Sequence, residues 1–252
     1  MKKISTLYIK DLNDLGLVIN VVNPENEWVF TDGIPTRKFD GTSSAIINGI
    51  LHKRYDAKLI ACKEINIGDR VAKKSGKKFN DGKLEDIVID LVVNENDPKK
   101  RMGALLKNSN TVVSLEMLLP VGKFLNQTNK KIPENAVPCQ EPDEFTGHWP
   151  HWIPCDRNDN SNKYHFLAFD NMTNIEDGTY ELIGKKIQGN PEKISGHVLV
   201  KHGSEVLTDI TDFSFESLKE YLTHKNIEGI VFHNKFDDRM CKIRKTDFNI
   251  KR

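Results

Sequence analysis

Short runs in which apolar and polar positions alternate recur along this chain, and one stretch alone carries clear helical spacing. Leu17-Val18-Ile19-Asn20-Val21-Val22 predicts a strand, as do Ser43 to Ile47 and Ile50 to Tyr55 on either side of Asn48-Gly49. An Asn-Gly pair between two apolar runs is the strongest short-range hairpin signal, because both central positions of that turn need positive φ. Further strands are predicted at Ile87 to Val93, Thr111 to Leu119, Tyr164 to Phe169, Ile227 to His233 and Met240 to Lys245, and Tyr180 to Gly184 follows an Asn/Asp/Gly turn. The helix is predicted over Phe213 to Leu222. Phe215, Leu218 and Leu222 form its apolar stripe, Ser214 is its expected N-cap, and Glu216 suits the positive first turn. Short strands, few helices and no βαβ rhythm predict an α+β fold with antiparallel sheets.

The 252 residues suffice for a full core and are expected to form a single domain, 1–252, with a β-rich insertion at 60–130. Lysine-, asparagine- and glycine-rich connections set that insertion apart, among them Lys73, Lys74, Lys77 and Lys78 around Gly76. That loop reads as a solvated basic loop or as a contact for phosphates. The net charge of +1 with 29% charged residues excludes a general basic coat for nucleic acid, so a polyanion site must be a local patch. No apolar run approaches the ~18 residues that span a bilayer, and no signal-peptide core follows Met1. Four widely spaced cysteines, Cys62, Cys139, Cys155 and Cys241, fit a reduced, cytoplasmic protein. From Ile132 to Pro154 proline and aromatic residues dominate. Cys139, His148, His151 and Cys155 are zinc ligands by type, but their spacing matches no common pattern, and packing of Trp149 and Trp152 on a sheet is expected instead.

Candidate chemistry starts at Thr36-Arg37-Lys38-Phe39-Asp40-Gly41-Thr42, where a lysine is followed by an acid and a glycine just before the hairpin. Alternation in an extended segment puts Lys38 and Asp40 on one side, and Gly41 lets a ligand approach the backbone. On its own this K-x-D-G reads equally as a surface turn. Downstream, E-L-I-G at Glu181, E-G-I-V at Glu228 and K-I-R at Lys242 follow in order. The two acids are hard oxygen donors suited to Mg²⁺, and Lys242 and Arg244 share one strand face, as a pair gripping one phosphate must. An amine that attacks phosphorus must be neutral, whereas a free lysine titrates near ~10.4. Burial and the positive charges of Arg54, Lys242 and Arg244 would lower that value.

The ordered set resembles the nucleotidyl-transfer motifs of polynucleotide ligases and capping enzymes. With Gln188-Gly189-Asn190-Pro191 and Gly147-His148-Trp149-Pro150 it is similar, over roughly residues 30–60 and 132–246, to ATP-dependent 5′-to-3′ RNA ligases related to the vertebrate RNA ligase 1 family. The resemblance implies the adenylation-domain fold of covalent nucleotidyltransferases: antiparallel sheets flanked by helices, with the ATP pocket between the sheets. It implies Lys38 as the adenylated nucleophile, Asp40 and Gly41 beside the nucleotide, and Arg54 on its ribose or phosphate. Glu181 and Glu228 would hold ribose hydroxyls or the metal, and Val231 would pack on adenine. Lys242 and Arg244 would contact phosphate, although Arg244 also reads as a partner for Asp247. It further implies ATP, Mg²⁺ (or Mn²⁺), and RNA with 5′-phosphate and 3′-hydroxyl ends as substrates, with no membrane and no obligate protein partner. Glu134 and Glu141 fall in a matching stretch but gain no role. The aromatic expected about twenty residues after Glu181 is missing. His197 and His202 are the planar rings there, and His202, followed by Gly203, is the candidate to stack on adenine. Only eight residues follow Arg244, so no C-terminal OB-type domain is expected and the 60–130 insertion becomes the suspected RNA contact. Two other readings keep less of the pattern: transfer to DNA, and a protein that only binds nucleotide or RNA.

Overall fold

A computed structural model describes residues 4–11, 16–61, 88–94, 97–106, 112–114, 120–121, 124–144 and 146–251. The lysine-rich loop at Lys73 to Lys78 lies outside the described residues, as does Cys62. The chain divides into two compact units, Met1–Arg54 with Pro154–Arg252, and Tyr55–Ile153. In chain order the elements begin with β1 (Ser5–Thr6), β2 (Tyr8–Lys10), β3 (Val18–Val22), the short helix α1 (Val29–Asp32), β4 (Gly33–Lys38), β5 (Thr42–Ile47) and β6 (Ile50–Ala61). The second unit adds β7 (Val88–Asn94), β8 (Asp97–Leu106), β9 (Val112–Ser114), β10 (Pro120–Val121), β11 (Phe124–Thr128), β12 (Val137–Pro138) and β13 (His148–Pro154). The chain then returns to the first unit with α2 (Lys163–Phe169), β14 (Gly178–Gly184), β15 (His197–Lys201), α3 (Phe215–His224), β16 (Gly229–Asn234) and β17 (Met240–Arg244). The architecture is mixed α+β with mostly antiparallel pairings. No helix among the described residues is long and apolar enough to cross a membrane.

Besides the small β2-β3 pair, two sheets build the first unit among the described residues. In one, the order is β1-β17-β16-β4, with β16 antiparallel to both neighbours. In the other, β5 pairs with β14 and with the start of β6, and β14 pairs with β15. The hairpin between β5 and β6 turns at Asn48 and Gly49, whose φ values of 52° and 72° are those its sequence predicts.

Strand alternation separates core from site. Ile230 and Phe232 on β16, with Cys241 and Ile243 on β17, are fully buried beneath Leu218 and Leu222 of α3. Burying each such large side chain contributes roughly 1.5–3 kcal/mol, which makes this face the anchor of the sheet. The intervening residues Val231, His233, Met240, Lys242 and Arg244 necessarily take the other face. A second core forms where Tyr180 and Leu182 of β14 meet Ile46, Leu51, Ala168 and Leu199.

Two local expectations change. Tyr164 to Phe169 is the helix α2 and not a strand. A turn that Asp159 caps by accepting from the Ser161 amide leads into it, and the buried pair His165 and Ala168 has the spacing of a helix face. Ser214 does stand at the N-cap of α3, but Asp212 caps: it accepts from the Ser214 amide and from the Ser217 hydroxyl. Of the strand expected over Thr111 to Leu119, Val112–Ser114 is a strand and the remaining positions lie outside the described residues.

In the second unit, β7-β8-β9 form an antiparallel sheet and β12 pairs with β13, where Trp152 is buried. His148 meets Asp56, while His151 turns its Nδ1 to the Trp149 carbonyl.

Candidate active site

β4 ends at Lys38, and there the chain crosses to the other sheet through Phe39, Asp40 and Gly41. Both of the last two amides donate to carboxylates: Asp40 N–H to Glu192 Oε1 and Gly41 N–H to Glu181 Oε1, each at 3.1 Å. At Gly41 a Cβ would run into the Leu182 carbonyl oxygen, so the close approach that requires glycine here is made by the β14 backbone.

Register brings the acids to the lysine. Lys38 pairs with Gly229, so Glu228 stands beside it, and Lys38 Nζ donates to Glu228 Oε2 at 2.5 Å. Ser43 pairs with Glu181, and its hydroxyl donates to Glu181 Oε2 at 3.3 Å. His202, just past β15, brings Nε2 to the same oxygen at 3.0 Å. An ionised carboxylate accepts only, so that nitrogen carries the proton. Three donors therefore answer the charge of Glu181, whose residue is 8% exposed, and burial without them would be costly.

Lys242 and Arg244 share a strand face as expected but have different surroundings. Arg244 donates Nη2 to Asp247 Oδ1 at 2.9 Å and Nε to Oδ2 at 3.3 Å, and these bonds hold its pKa above the ordinary range. Burial alone would raise the Asp247 carboxyl. Hydrogen bonds from Arg244 and Lys10 reverse that and hold it below the usual carboxylate value. Lys242 is pushed down to about 8, first by burial and then by the charges of Arg244 and Lys38.

A cavity of about 220 Å³ opens on these groups. Of the residues expected at the site, Lys38, Arg54, Glu181, His202, Val231 and Lys242 line it. Glu228 adjoins it through Lys38, Gly41 through Glu181, and Arg244 neighbours Lys242 on β17. The lining draws on both sheets. Val231 and Lys242 are ladder partners on one, while Ser43 and Glu181 are partners on the other. Arg37, Ser43, His233 and Met240 also line it and were not anticipated. Simple alternation flags two of them, since His233 is two residues past Val231 and Met240 two before Lys242. Burial, then the nearness of His202, lowers the His233 pKa and favours its neutral ring. Glu192 was also missed, although it directly follows the quoted Gln188-Gly189-Asn190-Pro191.

Four cationic residues, Arg37, Lys38, Arg54 and Lys242, line this cavity with the carboxylate Glu181, while Glu192 and Glu205 pair with Arg37 and Glu228 pairs with Lys38. On a mixed α+β frame this is a pocket of densely paired charges. Residues 167–251, about a third of the chain, match the family model described as RNA ligase 1, so that segment is similar to this family. The match holds Glu181, His202, Glu228, Val231, Lys242 and Arg244, and begins well past Lys38. No curated protein matches the chain.

Proposed function

We propose that this chain is an ATP-dependent RNA ligase that joins a 5′-phosphate to a 3′-hydroxyl through a lysyl-adenylate at Lys38 and an RNA adenylate. The observation that carries the reading is that Lys38, Arg54, Glu181, His202, Val231 and Lys242, scattered along the chain, line one cavity. In the first step Lys38 Nζ attacks the α-phosphorus of ATP, a nitrogen–phosphorus bond forms, and pyrophosphate leaves. The ammonium must first lose a proton, and Glu228 Oε2 at 2.5 Å is within reach to take it. Next an oxygen of the RNA 5′-phosphate attacks the adenylate phosphorus and Lys38 departs. Finally the 3′-hydroxyl attacks the RNA phosphorus and AMP is released.

Lys242 and Arg54 would balance phosphate charge in these steps, and Val231 and His202, which both line the cavity, would pack on the adenine. Among the described residues no three His, Cys, Asp or Glu side chains cluster as metal ligands. Mg²⁺ needs no such cage. One or two carboxylates with phosphate oxygens and water satisfy it, and Glu228 and Glu181 fit that share. A bound Mg²⁺ or Mn²⁺ would offset the charge that builds on phosphate.

The test uses ATP labelled at the α-phosphate, a divalent metal and no nucleic acid. The wild-type chain should take up label. Lys38→Ala should take none, and neither should Lys38→Arg, whose guanidinium stays charged. Label on Lys38→Ala refutes the nucleophile. Adding 5′-phosphorylated RNA or DNA then identifies the acceptor.

A further inference from the structure

Two acids hold the crossing that carries Lys38, and only Glu181 figures in the site proposed above. The other is Glu192. Its Oε1 accepts the Asp40 amide at 3.1 Å and its Oε2 accepts Arg37 Nη2 at 2.6 Å. One carboxylate thus grips the chain immediately before Lys38 and again two residues after it. The Glu192 side chain is 3% exposed, so both bonds are shielded from water, and charge-assisted bonds of this kind are the strong ones.

The loop that delivers Glu192 is built at a cost. Gln188, Asn190 and Lys193 have φ of 48°, 59° and 54°, the left-handed region that asparagine tolerates but that costs residues such as Gln188 and Lys193 roughly 1–2 kcal/mol each. Asn190 holds the loop shut, its Nδ2 donating to the Ile194 carbonyl at 3.0 Å and its Oδ1 accepting the Ile194 amide at 3.1 Å. Strain of that kind persists where the surrounding structure imposes it, and here the strained loop sets a buried carboxylate against the turn of the candidate nucleophile.

We propose that Glu192 is a positioning residue for the adenylation of Lys38: by holding Arg37 and the Asp40 amide together it fixes the direction in which the amine enters the cavity. Glu228 bonds the amine itself, whereas Glu192 sets the backbone from which it projects. The proposal rests on the lysyl-adenylate reading above.

The experiment compares two reactions of the full chain. In Glu192→Ala, single-turnover transfer of label from ATP to the protein should fall about tenfold or more, because two bonds next to the nucleophile are lost. Glu192→Gln should lose less, since its amide oxygen still accepts one of the two donors. Sealing of an RNA whose 5′ end already carries AMP bypasses attack by Lys38, so there Glu192→Ala should fall by less than about threefold. Parallel losses in the two reactions, or label transfer in both variants equal to wild type, overturn the positioning role. Thermal melting of both variants accompanies the assays, and a Gln variant that melts with wild type yet labels more slowly supports the role independently of folding. A wild-type chain that takes no label overturns the ligase reading itself, and the role of Glu192 with it.

Discussion

Lys242 should trade stability for function, and the trade can be measured as a function of pH. Burial, then Arg244 and Lys38, lower its pKa from the ordinary 10.5 to about 8. Below pH 8 the ammonium is charged in both folded and unfolded chains, and the folded chain bears the full cost of holding it. Between pH 8 and 10.5 the folded chain has released that proton while the unfolded chain keeps it. The unfolded state then binds more protons, so this group makes stability rise with pH. The gap, 10.5 minus about 8, is about 2.5 pH units, and at 1.36 kcal/mol per unit it is worth at most about 3 kcal/mol. Lys242→Met keeps a long apolar stem and removes the charge. At pH 7 the variant should be more stable than wild type by about 1–3 kcal/mol, an advantage that shrinks from pH 8 towards pH 10. Label transfer from ATP should be lost, because the cation assigned to the phosphate is gone. Urea unfolding of both proteins at pH 7, 8, 9 and 10 gives the answer, and the other titrating groups cancel in the difference. A difference that stays flat with pH, or a wild type that is the more stable at pH 7, refutes the account of the Lys242 environment.

Gly41→Ala should destabilise the chain by roughly 1–3 kcal/mol and abolish label transfer, since its Cβ meets the Leu182 carbonyl oxygen and comes within 2.9 Å of the Ile183 side chain. An alanine variant that melts and labels like wild type would show that β14 gives way. For His202 the bond to Glu181 and the flat ring can be separated: His202→Phe keeps a ring, and His202→Gln keeps an amide able to donate. If stacking on adenine dominates, Phe holds the wild-type ATP requirement while Gln raises it about fivefold or more; the opposite ranking assigns His202 to holding Glu181.

How much of this could be read from the chain alone follows from how far apart the partners lie. The β5–β6 hairpin turns at Asn48-Gly49, and the stripe of α3 is a matter of four residues. Both are local, and both came out as expected. Tyr164 to Phe169 is also local but ambiguous: a six-residue aromatic run suits either period, and it is the turn around Asp159 ahead of it that commits the segment to a helix. Lys38, Glu181, Glu228 and Lys242 stand out in the sequence as residue types in order, and the fold brings Lys38, Glu181 and Lys242 to one cavity with Glu228 bonded to Lys38. Their partners were not legible there. Glu228 lies 190 residues from Lys38, Glu181 lies 140 from Gly41, and Glu192 lies 155 from Arg37. Alternation tells which face of a strand a side chain takes, so the floor of the cavity, Val231 with His233 and Met240 with Lys242, follows once β16 and β17 are drawn with Ile230, Phe232, Cys241 and Ile243 inward. It says nothing of which strand lies alongside. Glu181 reaches Gly41 because β14 pairs with β5 in one particular register, and slipping that pairing by one residue would turn Glu181 to the opposite face, away from the Gly41 amide and the Ser43 hydroxyl. The side chain that does the bonding is visible in the sequence, but the bond belongs to the register.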